Sequence, residues 1–240
     1  MAKYKLIGVG TNAKTIKGDG NEYLTAIMYL APADMVDGIN LCPMAEMAGC
    51  KGPCLFTAGR GAFNSVQESR IRKTILWRDN RELFLEYLVS DLHKFRAYCR
   101  KKGIKPVVRL NGTSDINWER YIDMTGEFAD IQFYDYTKNI SRMSKPRPNN
   151  YHLTLSYSEA KAKYADMALS EMCKHDGTNM AVVFRDKNSI PKTFLGFPVI
   201  DGDADDLRFL DPQGVVVALY AKGKAKKDTS GFVIDVTQEV

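Results

Sequence analysis

Short, continuously apolar runs alternate with polar stretches along this chain. Runs of this length predict strands that are buried on both faces, as in a parallel sheet. They lie at residues 3–9, 24–30, 106–110, 131–136, 151–157, 180–184, 197–200 and 215–220. The run GFVIDV near the end of the chain predicts a further strand at the edge of the sheet.

A different periodicity predicts a long helix in the first half of the chain. Apolar side chains recur there at spacings of three and four, the stripe of an amphipathic helix, at Phe84, Leu88, Leu92, Phe95 and Cys99. We expect Asp79 to cap this helix, with Glu82 completing a capping box, and Gly103 to end it. Because Cys99 falls on the apolar stripe, we interpret it as a packed thiol. Shorter helices are predicted at residues 65–73, 117–128 and 159–174.

The alternation of strands and helices predicts the fold class. Strands that alternate with helices are typical of parallel β/α units. Seven or eight such strands favour an α/β fold of the TIM-barrel type, a (β/α) barrel that is complete or partly open, and an open doubly wound sheet is the alternative. Since no linker or internal repeat interrupts the chain, residues 1–240 are predicted to form a single domain.

A cysteine-rich loop follows the early strand at residues 24–30. Cys42, Cys50 and Cys54 occur there with the spacing C-x7-C-x3-C, among prolines and glycines that prevent a regular helix or strand. Three thiolates on one loop predict a [4Fe-4S] cluster whose fourth iron is open to a small-molecule ligand. The alternative is a zinc site completed by a distant histidine.

Polar side chains follow several of the predicted strands. In a β/α barrel the active site lies at the carboxyl ends of the strands, so these side chains are expected to share one crevice with the cysteine loop. Among them we predict a catalytic group formed by Asp115, Asn111, Tyr134 and Asp135, with Asp115 as the first choice for an acid–base role. The residues predicted to bind the cofactor are Arg60, Arg109 and Ser114.

The composition and net charge of the chain limit the classes of function that it can have. The net charge of +5 permits a contact with nucleic acid without requiring one, and part of the excess lies in the basic runs at residues 70–81 and 222–227. No apolar run approaches the ~20 residues that span a bilayer, so no membrane association is predicted. The stretch MAKYKLIGVG lacks the core and cleavage site of a signal peptide, which predicts a cytoplasmic protein. The odd number of clustered cysteines also argues against a disulfide framework. The segment TNAKTIKGDG lacks the G-x-x-x-x-G-K-[ST] pattern of a nucleoside triphosphate site.

Several stretches resemble a family carried by phages and plasmids, the gene product 88 family. The resemblance is carried by NAKTIKG, YLTAIMYLAPAD, NLCPMAEMAGCKGPCLFTAGRG and VVRLNGTSDINWE. It implies a bacteriophage protein that acts in the cytoplasm of a bacterial host, and it implies no reaction.

The cysteine loop is also similar, more distantly, to that of radical S-adenosylmethionine enzymes. Those enzymes carry three cysteines after the first strand of a β/α barrel, with the spacing C-x3-C-x2-C, from which this chain departs. The resemblance makes S-adenosylmethionine a candidate ligand of the open iron. Two functions remain open at this point: a cluster-dependent enzyme, or a regulatory protein that contains a cluster or zinc and contacts host nucleic acid or protein.

Overall fold

A single ten-stranded sheet forms the centre of the protein. The structure, a computed structural model, describes residues 5–10, 22–174 and 177–236. The strands are β1 Ile7–Val9, β2 Tyr23–Met28, β3 Lys105–Arg109, β4 Gln132–Thr137, β5 Tyr151–Ser156, β6 Met180–Phe184, β7 Thr193–Phe194, β8 Phe197–Asp201, β9 Val216–Tyr220 and β10 Val233–Ile234. The helices are α1 Asn64–Asp79, α2 Arg81–Lys102 and α3 Ala162–Lys174.

The sheet is open, so the predicted barrel is wrong. Its strand order is β1-β2-β3-β4-β5-β6-β9-β8-β7, with β10 paired to β6 outside this path. Strands β2 to β6, β8 and β9 run parallel to one another, whereas β1 and β7 are antiparallel to them and lie at opposite ends. Closure would require these two end strands to pair, and in the described chain they do not. The three described helices are also too few for the eight β/α units of a barrel.

One face of the sheet carries the main hydrophobic core. Pairing places Val108 beside Phe133, and Leu155 beside Met180, on the same face. The buried apolar residues of all three described helices belong to the cluster that these side chains form. The described helices therefore cover one face only, unlike those of a doubly wound sheet.

The opposite face carries two small hydrophobic clusters, one that contains Val107, Tyr134 and Leu207 and one that contains Ala181, Val215 and Val217. The segment at residues 202–211 packs against this face and binds its polar groups. Asp206 is 2% exposed, and its Oδ2 accepts hydrogen bonds from Arg109 Nη1 at 3.1 Å and Tyr134 Oη at 2.7 Å. Its Oδ1 accepts a third bond from Tyr136 Oη at 3.3 Å. Because these partners come from neighbouring strands, one carboxylate fastens the segment to the sheet.

The predicted elements are confirmed over most of the chain. Strand β6 has the bounds expected from the sequence, and Cys99 is fully buried on α2, as its place on the stripe predicts. Gly103 ends α2 with φ +67°, a left-handed conformation that favours glycine. The N-terminal cap differs: Asn80, not Asp79, accepts a hydrogen bond from Leu83 N at 3.0 Å.

One predicted helix is wrong. Residues 117–128 contain only the short 3-10 turn Trp118–Arg120. Trp118 is fully buried, and its indole Nε1 donates to Asn111 Oδ1 at 3.0 Å. This tertiary anchor holds the segment in a turn and outweighs its helix propensity.

The segment at residues 11–21 lies outside the described residues. No helix in the described part of the chain is long and apolar enough to cross a bilayer.

We predict that Asp206→Ala strongly destabilises the protein. The side chain of Arg109 is 12% exposed and would lose the carboxylate that compensates its charge. Removing one partner of a buried ion pair costs about 3–5 kcal/mol of unfolding free energy. Urea denaturation followed by circular dichroism measures the loss.

The matched control is Asp34→Ala, which breaks an exposed pair with Lys51. Because water screens exposed pairs, this variant should leave the unfolding free energy almost unchanged. Equal stability of the two variants would show that Asp206 does not fasten the segment to the sheet.

Candidate functional site

The candidate site lies at the carboxyl edge of the sheet, where the turn at residues 111–115 follows β3. This turn contacts the ends of two segments near the cysteine loop. Gly112 N donates to Met28 O at 3.0 Å, and Thr113 Oγ1 donates to Leu30 O at 2.5 Å. Asp115 N donates to Leu41 O at 2.8 Å. The turn therefore fixes where the cysteine loop begins.

Asn111 gives the turn its shape. Its Oδ1 accepts hydrogen bonds from Ser114 Oγ at 2.8 Å and from Ile116 N at 2.9 Å. Its backbone N and its Nδ2 both donate to Asp135, at 2.7 and 3.1 Å. Asp135 also accepts from Tyr151 Oη at 2.9 Å, and burial raises the pKa of this carboxyl to about 7. The structure thus joins three of the predicted site residues in one buried network, while their catalytic and cofactor roles stay predictions.

Asp115 connects this turn to the loop after β4. Its Oδ1 accepts from Thr137 Oγ1 at 2.8 Å and from Arg142 Nη1 at 3.0 Å. Its Oδ2 accepts from Lys138 N at 2.9 Å and from Asn139 N at 3.3 Å. Four donors occupy both oxygens, so the carboxylate fixes the position of Lys138. Its predicted acid–base role stays a prediction.

The three thiols of the cysteine loop are partly buried and lie within electrostatic range of one another. Cys42 Sγ donates to Thr113 O at 3.6 Å, which holds this thiol against the turn. Burial raises the pKa of Cys42 to about 12, with smaller contributions from Cys54, Asp115 and Cys50. Burial also raises the pKa values of Cys50 and Cys54. All three groups are therefore neutral thiols at neutral pH.

The predicted iron–sulfur centre is wrong. In the described chain, no group of three or more His, Cys, Asp or Glu side chains is arranged to hold a metal ion. The same finding removes the open iron and the zinc alternative. The physical reason is that clustering in sequence does not place thiol sulfurs at ligand spacing, and the bond from Cys42 to Thr113 O ties one thiol to the turn.

Two cations beside these thiols were missed by the sequence analysis. Arg70 on α1 is 8% exposed, its Cζ lies 4.8 Å from the centre of the Tyr29 ring, and its Nη1 donates to Phe56 O at 3.4 Å. Lys138 is partly buried, and its Nζ donates to Ser156 Oγ at 2.5 Å. Both charges lower the pKa of Cys54, against the larger effect of burial. Arg70 and Lys138 therefore both lie within electrostatic range of this thiol.

Neither cation is neutralised by a carboxylate in the described chain. Arg142, by contrast, lies 3.0 Å from both Asp115 and Glu119. Among the described residues, Arg70 Nε is buried without a hydrogen-bond partner, as is Arg142 Nε, and burial lowers the pKa of the Arg70 guanidinium. Arg70 is therefore a buried cation without an ion pair among the described residues.

A glycine of the cysteine segment makes room for the buried guanidinium. A Cβ at Gly61 would lie 3.2 Å from Arg70 Nη2 and 2.5 Å from Phe56 O. The carbonyl that accepts from Arg70 would therefore have to move if any other residue stood at this position. This close packing explains why a glycine stands at position 61, near the end of the cysteine segment.

Three other predicted site residues lie away from the thiols or serve the fold. Arg60 is exposed in the 3-10 turn Gly59–Ala62. Arg109 and Tyr134 lie on the face opposite the main core, bound to Asp206, whereas Asp135 lies on the core face. The sheet thus separates Tyr134 from Asp135, which the sequence analysis had grouped.

The sequence contains a signal for one of the two missed cations, Lys138, but none for the other, Arg70. Lys138 directly follows β4, so the rule that placed Asp115 at a strand end applies to it as well. Arg70 stands in a strongly charged helix, where nothing local distinguishes a buried arginine from an exposed one. Its burial depends on the packing of α1 against the cysteine segment.

The comparisons with known proteins identify the family. The family model described as gene product 88 matches residues 5–236. A search of the curated proteins gave no match, and a search of the solved structures gave none. The resemblance to radical S-adenosylmethionine enzymes has no support, and binding of S-adenosylmethionine stays a prediction. Because the match covers almost the whole sequence, the chain belongs to the gene product 88 family.

Proposed function

We propose that this protein binds a small anionic molecule, bearing a carboxylate or a phosphate, at the carboxyl edge of its sheet. The observation that carries the proposal is that the buried Arg70 and the partly buried Lys138 both lie within electrostatic range of Cys54, and that neither forms an ion pair with a carboxylate among the described residues. Ligands of open parallel sheets bind at this edge, outside the carboxyl ends of the strands. No reaction is assigned to the site.

The energetic argument rests on the burial of Arg70. A buried charge costs several kcal/mol unless an opposite charge compensates it. The Tyr29 ring and Phe56 O offset part of this cost for Arg70, but neither neutralises the guanidinium. An anion between Arg70 and Lys138 would supply the missing charge. Arg70 has the fork of donors that suits a carboxylate or phosphate, and Lys138 would add a point charge.

The thiols of the cysteine loop are suited to contact an anionic ligand, because they are neutral and can donate hydrogen bonds to it. Burial keeps Cys50 and Cys54 protonated, so they add no negative charge to the site. A thiol is a weak hydrogen-bond donor and presents a polarisable surface to a ligand. Cys54 therefore stands where it contacts a bound anion without repelling it.

The proposed setting is the cytoplasm of a bacterium infected by the phage that encodes the protein. None of the five cysteines forms a disulfide in the structure. Free thiols persist where the cell keeps them reduced, as in the cytoplasm. The bacteriophage origin rests on the family to which the chain belongs.

Replacing Arg70 with Met should weaken anion binding and stabilise the empty protein. We expect the dissociation constant for inorganic phosphate or succinate to rise at least about tenfold, since a charge-assisted hydrogen bond contributes about 1.5–3 kcal/mol. The free energy of unfolding without ligand should rise by about 1–3 kcal/mol, because an uncompensated buried charge is removed. Calorimetric titration and urea denaturation measure the two effects.

The matched control is Arg72→Met on the same helix. Arg72 is exposed and pairs with Glu68, so this variant should change neither quantity appreciably. Lys138→Met should weaken binding in the same direction as Arg70→Met. If Arg70→Met lowers stability and leaves anion affinity unchanged, the cation is a structural residue and the binding site does not exist.

Alkylation should distinguish the loop thiols from an exposed cysteine. At pH 7 we expect iodoacetamide to modify Cys173 well before Cys42, Cys50 and Cys54, because Cys173 is exposed and burial holds the loop thiols protonated. Raising the pH should speed modification of Cys50 and Cys54. Saturating phosphate should slow modification of Cys54 by covering it.

Mass spectrometry of tryptic peptides gives the rate for each cysteine. The buried Cys99 should react only after unfolding in urea, which provides an internal control for the folded state. Reaction of the loop thiols as fast as Cys173 at pH 7 would contradict the burial on which their neutrality depends.

A further inference from the structure

A second positively charged feature lies beside the cysteine loop, in the 3-10 turn Gly223–Lys227 that follows β9. Ala225 is 3% exposed and anchors this turn, whereas Lys224, Lys226 and Lys227 are exposed. Lys222, just before the turn, pairs with Asp203 at 2.7 Å. In the described chain no carboxylate lies within ion-pair distance of the three exposed lysines. We name these three residues the lysine turn.

The lysine turn is held rigidly against the rest of the protein. Arg185 Nη1 donates to Lys226 O at 2.9 Å, and its Nη2 donates to Asp228 O at 2.5 Å. Gly223 adopts φ +56°, and a Cβ there would lie 3.1 Å from Ala58 Cα. This close approach packs the turn against the segment that follows the cysteines. The backbone that carries the lysines is therefore fixed, which lowers the entropy cost of ordering the turn on binding.

A cleft of about 330 Å³ separates the lysine turn from the cysteine loop. Its walls include Gly49, Gly52 and Pro53 on one side and Lys224, Lys227 and Thr229 on the other. Asp228 also lines the cleft, but its carboxylate accepts hydrogen bonds from Ser230 N, Ser230 Oγ and Val233 N at 3.0–3.2 Å. Neutral local donors thus bind the carboxylate, which keeps its charge, and Lys224 and Lys227 together leave the cleft with a net positive charge.

We propose that the lysine turn and this cleft bind the phosphate backbone of a nucleic acid. Lysine ammonium groups and a hydroxyl along a groove are the donors that contact phosphates without reading sequence. The net charge of +5 favours the approach of a polyanion. A concave cleft fits a chain of phosphates, whereas an anionic bilayer would require a flat or convex face. The residues that line this cleft do not include Arg70 or Lys138, so the two sites can be altered separately.

The test compares two double variants that each remove two positive charges. Lys224→Gln with Lys227→Gln changes the cleft. Lys101→Gln with Lys102→Gln changes the end of α2, at the opposite, amino edge of the sheet. Binding of a fluorescent oligonucleotide, single-stranded and as a duplex, is measured by anisotropy over a series of salt concentrations. Vesicles containing phosphatidylserine are tested in parallel.

We expect the cleft variant to bind the oligonucleotide at least about tenfold more weakly at low salt, and to lose about 0.7–0.9 from the salt slope for each lysine removed. The control variant should resemble the unaltered protein. Arg70→Met should retain nucleic-acid binding, so failure of the anion site and failure of this surface are distinguishable. Equal effects of the two double variants, no salt-dependent binding, or binding to vesicles alone would overturn the proposal.

Discussion

The turn from Asn111 to Asp115 is the constraint on which the carboxyl edge depends. It bonds to the end of β2 and the residues just after it through Gly112 and Thr113, and to the start of the cysteine loop through Asp115 N. The Asp115 carboxylate then fixes the backbone of Lys138. Because these bonds are buried or partly buried, a change in the turn displaces the thiols and Lys138 together. The geometry of the edge is thus set by a motif whose own side chains serve the fold.

The open sheet explains why neighbouring polar residues serve different purposes. Successive side chains on a strand point to opposite faces. Asp135 therefore lies in the network of Asn111, while Tyr134 lies with Asp206 under the segment at residues 202–211. Residues that are adjacent in sequence at the end of a strand lie at the same edge of the sheet. Their side chains point to opposite faces, however, because side-chain direction alternates along the strand. A site at this edge must be assembled from residues that share a face or project beyond it.

Much of the secondary structure could be predicted from the sequence, because it follows from local pattern. The apolar run of β6 and the stripe that buries Cys99 required no tertiary information. Closure of the sheet could not be predicted in this way, since it depends on whether the end strands meet. The helix predicted at residues 117–128 failed for a related reason: Trp118 gains more from its buried bond to Asn111 than the segment gains from helical propensity.

The candidate site was predicted only in part, since charge compensation is a tertiary property. Arg142 is more deeply buried than Arg70 and Arg109 is slightly less buried, and each meets a carboxylate supplied by another segment. Arg70 meets an aromatic ring and a carbonyl oxygen and lies within electrostatic range of Cys54. The fold thus supplies a carboxylate to Arg142 and to Arg109, whereas among the described residues it supplies none to Arg70. The missing negative charge at Arg70 is therefore best understood as the place of a ligand, which the sequence could not reveal because the sequence shows neither burial nor partners.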